Sequence, residues 1–386
     1  MEIEAHVQPA PTPSSLDQSQ PSPLIHTPQP SMDNTPPTDC NDVNESSLAF
    51  FLLLLVLLVK LVILSGSDNW EGLLDPLDSD LRRYLLHYAA MAAPTGEALI
   101  TDPASRNIGL CRYARKNLLA NTGAVKGNPF KYEVTKYFYA PSGASTGATG
   151  YTVRPARADA VLKESNWMGY VAVATDEGKV REEVARLVER YKDEKVSITV
   201  TGASLGASMA TLNATDLAVN SFKPDIPVTA FLFASPKVGD QNFKNAFANQ
   251  PNLRGLRITD VKDNVQTLPP FGLPVGELFP VIFYQDVGVG FMIESQKSEY
   301  LKSELTSVLG YHDPMLYMHG IDGFQGSEGG FQPHGDFDIA KVNKYQDALK
   351  DEYNIPAAWW NIKDTGMVQQ DDGSYILDDH EPDEKF

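Results

Sequence analysis

The stretch Val196–Asn220, VSITVTGASLGASMATLNATDLAVN, decides the fold. It opens on a β-branched run, Val196 to Thr201, and passes through Gly202-Ala203-Ser204-Leu205-Gly206. It then continues into a helical stretch rich in Ala, Leu and Met. Strand, sharp turn and helix form the context that a G-x-S-x-G nucleophile elbow requires. Ser204 must sit in a strained turn for its hydroxyl to project above a sheet. Side chains two positions away would collide there, so both flanks, Gly202 and Gly206, are glycine. The backbone N–H of Leu205, opening the helix, then points at a developing oxyanion with the helix dipole behind it. The fold expected is α/β: an α/β-hydrolase with a mostly parallel central sheet flanked by helices.

An elbow serine is a weak nucleophile until a histidine takes its proton, and that histidine needs a carboxylate to hold its tautomer. In this fold the chain order is Ser, then Asp or Glu, then His. Of seven histidines, His312, His319 and His334 lie between Ser204 and the acidic end. His319 stands just before a turn in Tyr317-Met318-His319-Gly320, and His312 competes with it in Tyr311-His312-Asp313-Pro314. His334, in a Gly-rich loop, is the weakest of the three. Val228–Ala234 and Leu253–Thr259 read as the next two strands, and Asp260 and Asp263 follow the second of them. Either is a candidate for the acid, and either fits an ordinary solvated turn.

Working outward, the 386-residue chain is 42% hydrophobic, enough for a large core, and carries a net charge of −18. That charge argues against nucleic acid and against electrostatic adsorption to anionic lipid, both of which call for clustered Lys and Arg. The two cysteines, Cys40 and Cys111, offer no disulfide framework and favour a reducing compartment. No Cys and His spacing matches a zinc site, and neither a metal nor a cofactor is expected.

Residues 1–47 are rich in Pro, Ser and Thr, lack Lys and Arg, and read as a disordered tail. Leu48 to Leu64 is an apolar run broken by Lys60. Its length is marginal against the ~20 residues of a spanning helix, which makes it a candidate single-pass transmembrane anchor. Arg82 and Arg83 downstream favour a catalytic part that is cytoplasmic or membrane-associated. The hydrolase domain is expected over 67–377. Within it a helix is expected over Asp80–Met91, strands over Tyr132–Tyr139 and Gly169–Ala174, and an amphipathic helix over Val180–Tyr191. Phe271 to Phe291 fits an apolar mouth or, better, core. Residues 378–386 form an acidic tail expected to fray.

Longer stretches carry a resemblance. WEGLLDPLDSDLRRYLLHY from Trp70, CRYARKNLL from Cys111, VKGNPFKYEVTKYFYA from Val125 and ESNWMGYVAVATDEGK from Glu164 make up its first half. SITVTGASLGASMATLNATDLA, VTAFLFASPKVGD, the YMHG of Tyr317–Gly320, ALKDEY and GMVQQDDGS make up its second. Together they resemble plant phospholipase A1 of class II, within the class 3 lipase family. The resemblance implies cleavage of the sn-1 ester of phospholipids at a membrane surface, without metal. Matched residue by residue, it puts Ser204 on the nucleophile, Asp263 on the acid and His319 on the base, with His312 as the alternative.

Two departures stand beside it. The family has His where Ala203 stands, next to the nucleophile. The chain also runs from Asp176-Glu177-Gly178-Lys179 almost directly into a helix, where the family carries a further segment. That segment holds a central strand and an R-G-T-like loop donating a second oxyanion N–H. A central sheet lacking one strand is therefore expected. The functional expectation is a phospholipase A1-type ester hydrolase. The alternatives are a catalytically impaired lipase-like protein with an incomplete oxyanion hole, or a general carboxylesterase.

Overall fold

The structure is a computed structural model. It describes residues 2–4, 59–124, 132, 134–141, 165–169, 177–193, 196–220, 225–269, 283–307, 310–362 and 365–383. Among these, the order of elements is β1 (Glu2–Glu4), α1 (Ser79–Ala98), α2 (Arg115–Asn121), β2 (Phe138–Pro141), β3 (Ser165–Gly169), α3 (Glu177–Arg190), β4 (Ile198–Ala203) and α4 (Leu205–Asn220). They are followed by β5 (Val228–Phe233), α5 (Gln241–Ala248), β6 (Leu253–Asp260), β7 (Val289–Ile293), α6 (Pro314–Gly323), β8 (Gly366–Gln369) and β9 (Tyr375–Asp378).

The central sheet runs β1-β4-β5-β6-β7. Strands β4 to β7 are parallel, with Ile198 opposite Val228, Val228 opposite Leu253, and Leu256 opposite Val289. A parallel sheet is covered on both faces, so its strands read as nearly continuous apolar runs, and all six residues of β5, VTAFLF, are buried. The period of two divides them. Val228, Ala230 and Leu232 face one side, where Val180, Val184 and Val188 of α3 and Ala207, Ala210, Ala214 and Leu217 of α4 cover them. Phe231 and Phe233, with Leu256, Ile258, Phe291 and Ile293, face the other. There Leu81, Leu85 and Tyr88 of α1 and Leu316 and Ile321 of α6 cover them. Of the stretch Phe271–Phe291, residues 271–282 lie outside the described ones; Val287 and Phe291 are core, whereas Phe283 is exposed.

Beyond β4 the sheet continues, among the described residues, only with the three-residue β1, which pairs with it antiparallel. Among the described residues no further parallel strand adjoins the nucleophile strand there. The Gly169–Ala174 strand is met differently from expectation. Gly169 ends β3, which pairs with β2 in a separate two-stranded sheet, and residues 170–174 lie outside the described ones. The Tyr132–Tyr139 strand is also shorter than its alternation suggested, since β2 begins only at Phe138.

Of the candidate anchor, residues 48–58 lie outside the described ones, as does the tail at 5–47. Residues 59–64 are helical and docked on the domain. Lys60 pairs with Asp80, Leu64 is buried, and its carbonyl accepts the Trp70 indole N–H at 2.8 Å. Among the described residues no helix is long and apolar enough to cross a membrane. The acidic end does not fray over its described part. Glu381 accepts from the Ala114 N–H and the Asn117 amide, Asp383 pairs with Arg115, and Asp379 accepts from Asn107. The Ala114 N–H, the Asn107 and Asn117 amides and the Arg115 guanidinium give these carboxylates partners, which composition alone does not reveal.

Candidate active site

The elbow forms as its residue types require. Strand β4 ends at Ala203, α4 begins at Leu205, and Ser204 between them holds φ at +57°. This is the left-handed region that β-branched and most other side chains avoid. The Ser204 N–H donates to the Phe233 carbonyl at 2.9 Å, tying the strained residue to β5. A Cβ at Gly202 would stand 2.4 Å from the Gly206 carbonyl oxygen, which belongs to the backbone and cannot yield. Gly202→Ala is therefore expected to shift the elbow, lowering thermal stability by several degrees and esterase rate together. A thermal melt alongside a hydrolysis assay checks it.

Leu205 lies in the first turn of α4, where the helical ladder supplies its N–H with no acceptor. Apolar side chains that follow the C-terminal ends of β4 and β6 are open to solvent. Leu205 is 43% exposed, and Val261 and Leu268, on the segment leaving β6, are each 45% exposed.

Asp263 follows β6 and is buried, its carboxylate held by three donors. The Val265 N–H reaches Oδ1 at 2.8 Å. The His312 Nδ1–H and the Tyr317 hydroxyl both reach Oδ2, at 2.8 and 2.7 Å. Burial opposes its charge, but the hydrogen bonds from His312 and Tyr317 and the nearby imidazole outweigh it. They hold the carboxyl below the ordinary aspartate range. Burial with the carboxylate of Asp263 nearby drives the Tyr317 phenol well above its ordinary range, so it stays a donor.

His312 bridges the two groups. With Nδ1–H given to Asp263, Nε2 is free to accept, and it stands 2.7 Å from Ser204 Oγ. The side chain of His312 is part-exposed at the surface where the elbow opens, while Asp263 behind it is closed off.

His319, the base implied by resemblance, is not brought to Ser204. It is fully buried within α6, its Nε2 is 2.8 Å from Ser298 Oγ, and it lies against the Phe331 ring. Burial lowers its pKa to about 4. The reason is helical geometry. Asp313 caps the helix by accepting from the Met315 N–H, and Pro314 occupies its first position. His319 therefore falls in mid-helix, and two residues on from Tyr317 it points away from the face that meets Asp263. His312 falls just outside the cap, on the 3-10 turn Gly310–His312. The Asp-Pro pair after His312 is the sequence signal that separates the two histidines. His334 is exposed, with its backbone N–H on the Asp322 carbonyl, far along the chain from the elbow.

Asp260, the other acid considered, is buried with its oxygens taken by the Ser295 N–H and hydroxyl and by the Lys262 N–H. Burial raises its pKa. Tyr317 links the two carboxylate positions, since its hydroxyl also accepts the Asp260 backbone N–H at 3.1 Å. Neither Tyr317 nor Ser295 stands out in the sequence, because both reach this cluster only through tertiary packing.

The family described as "Lipase (class 3)" matches residues 123–273. The chain is 36% identical over 401 residues to Phospholipase A1-IIalpha of Arabidopsis thaliana, with 83% of this chain and 92% of the relative covered. It is 36% identical over 392 residues to Phospholipase A1-II 1 of Oryza sativa subsp. indica, covering 83% and 96%. In both cases the aligned length exceeds the part of this chain that is covered, so each relative carries residues without a counterpart here. Among solved structures, a triacylglycerol lipase from Penicillium expansum is 19% identical with a TM-score of 0.27, covering 32% of this chain and 43% of the lipase. A fungal lipase described for its unusual buried polar cluster is 20% identical with a TM-score of 0.29, covering 64% and 97%.

Proposed function

Because the chain belongs to the class 3 lipase family, among plant phospholipases A1 of class II, we propose that it hydrolyses the sn-1 ester of phospholipids with Ser204, His312 and Asp263. The observation that carries the reading is the pair of hydrogen bonds of His312, 2.7 Å to Ser204 Oγ and 2.8 Å to Asp263 Oδ2. Phospholipid is the proposed substrate because the similar relatives are named as phospholipases A1. The exposed Leu205, Val261 and Leu268 give the site an apolar rim suited to an acyl chain at a lipid surface.

In the proposed cycle, Ser204 Oγ attacks the ester carbonyl carbon while its proton passes to His312 Nε2. The oxyanion of the tetrahedral intermediate takes the Leu205 N–H. The intermediate collapses, the lysolipid oxygen leaves with the proton from His312, and the acyl group stays on Ser204. A water then gives its proton to His312 and attacks the acyl carbon, releasing fatty acid and restoring the serine. Asp263 keeps Nδ1 protonated throughout, so that Nε2 is always the nitrogen that exchanges the proton.

A second reading is a weak hydrolase of this same class. It is favoured by the absence of an R-G-T sequence from the chain. Loss of one oxyanion donor costs about 100- to 1,000-fold in rate.

Release of fatty acid from phosphatidylcholine micelles by the full chain and by Ser204→Ala is the test. Release that falls to background in Ser204→Ala supports the reading. Equal release from two folded proteins, judged by near-ultraviolet circular dichroism, overturns it.

A further inference from the structure

The turn that carries His312 is short, and its position depends on what lies behind it. Immediately after His312, Asp313 is fully buried, with one carboxylate oxygen on the Met315 N–H at 2.7 Å. The other accepts from the Gln346 side-chain amide at 3.0 Å. The second proton of the same amide goes to the Gly310 carbonyl at 3.1 Å. One buried –NH2 group thus grips the turn Gly310–His312 at its first residue and just past its last.

The backbone that carries the amide is itself fixed from two directions. The Ala358 N–H donates to the Gln346 backbone carbonyl at 3.1 Å. The two residues before it, Lys344 and Tyr345, both bond the buried Glu97 near the end of α1, and the Lys344 ammonium lies 4.0 Å from the centre of the Trp360 ring. The Gln346 Oε1 is buried without a hydrogen-bond partner among the described residues. An orphaned buried acceptor costs stability, yet turning the amide over would put that oxygen against the Gly310 and Asp313 acceptors. The orientation that serves the turn is kept.

We propose that Gln346 is a positioning residue of the hydrolytic site. Through Gly310 and Asp313 it holds His312 in the place from which Nε2 meets Ser204 and Nδ1–H meets Asp263. The inference rests on the reading of His312 as the base. Gln346 touches neither substrate nor reacting atoms, and its effect falls on kcat through the placement of the imidazole.

The test uses the full chain and Gln346→Leu, which keeps bulk and removes both donors. On phosphatidylcholine micelles the folded variant is expected to lose roughly 10- to 100-fold in kcat at unchanged KM, the size of loss that a misplaced catalytic group produces. The downfield proton resonance of the His312 Nδ1–H···Asp263 hydrogen bond is expected to broaden or vanish with it. Parental kcat, or a lost kcat with that resonance intact, in a folded Gln346→Leu overturns the proposal.

Gln346→Glu keeps the proposal falsifiable should the leucine variant not fold. As a carboxylate it sets an acceptor against Gly310 and Asp313, and as a neutral acid it donates one hydrogen bond back. The ionisable groups around it are Asp313, His312 and Tyr345, with the Glu97–Lys344 pair behind Tyr345. Its rate relative to the parent is expected to rise as pH falls from about 8 to about 5, and a flat ratio overturns the proposal. A parent protein whose release does not depend on Ser204 overturns the triad reading instead. The resonance then still reports whether Gln346 positions His312.

Discussion

Replacing His312 with alanine is expected to lower kcat/KM by about 10⁴- to 10⁶-fold, the range seen when a member of a serine triad is removed. The imidazole stands 2.7 Å from Ser204 Oγ and 2.8 Å from Asp263 Oδ2, and no other ionisable side chain bridges them among the described residues. Without it the serine hydroxyl has no acceptor for its proton. His319→Gln, the matching change at the other histidine, is expected to leave kcat/KM within a few-fold, because His319 bonds Ser298 behind the sheet edge. Its signature is in stability. In the unfolded chain this ring takes a proton near pH 6.5, whereas burial holds it neutral in the folded chain down to about 4. The unfolded state therefore binds the extra proton in that window. The stabilisation is complete above pH 6.5 and is lost, by about 3 kcal/mol, as pH falls towards 4. Denaturant melts across that range are expected to show the decline in the parent and a smaller one in His319→Gln. A collapse of turnover in His319→Gln with His312→Ala active would reverse the assignment of the base.

The second large effect is expected from Arg82→Met. This arginine of α1 is buried and donates to three carbonyls at the end of α6, those of Ile321, Asp322 and Phe324. The last carbonyls of a helix have no partner within it. Arg82 supplies them with a charged donor and so locks the helix that carries Tyr317 against α1. Methionine keeps much of the apolar stem and leaves the three acceptors buried and unmet. At about 1–3 kcal/mol for each unsatisfied group, partly relieved by relaxation, the expected loss is about 3–5 kcal/mol. A drop of roughly 10 °C in Tm corresponds to that. Arg83→Met is the control. Its guanidinium is exposed and pairs with Asp336 and Asp80 at the surface, so a change of less than about 1 kcal/mol is expected. Equal melts for the two variants would refute the capping role of Arg82.

The sequence alone determined the elbow and the sheet around it. A β-branched strand, Gly202, Ser204, Gly206 and an Ala-rich helix have one compact arrangement, because the Gly202–Gly206 approach admits no Cβ. The apolar runs of β5 and β6 likewise require cover on both faces, and Asp263 was legible as one of two carboxylates after β6. What only the tertiary structure decided was which partners meet Ser204. Asp260 and Asp263 stand three residues apart, and Ser295 claims one while His312 and Tyr317 claim the other. His312 and His319 stand seven apart, and the helix start at Pro314 leaves one in the turn facing the elbow and buries the other. Gln346 and Arg82 carry no local mark, since their partners lie 33 to 242 residues away along the chain. Local sequence fixes backbone conformation through sterics and periodicity. The choice among equivalent polar side chains falls to whichever donors and acceptors the packed elements bring within hydrogen-bond reach.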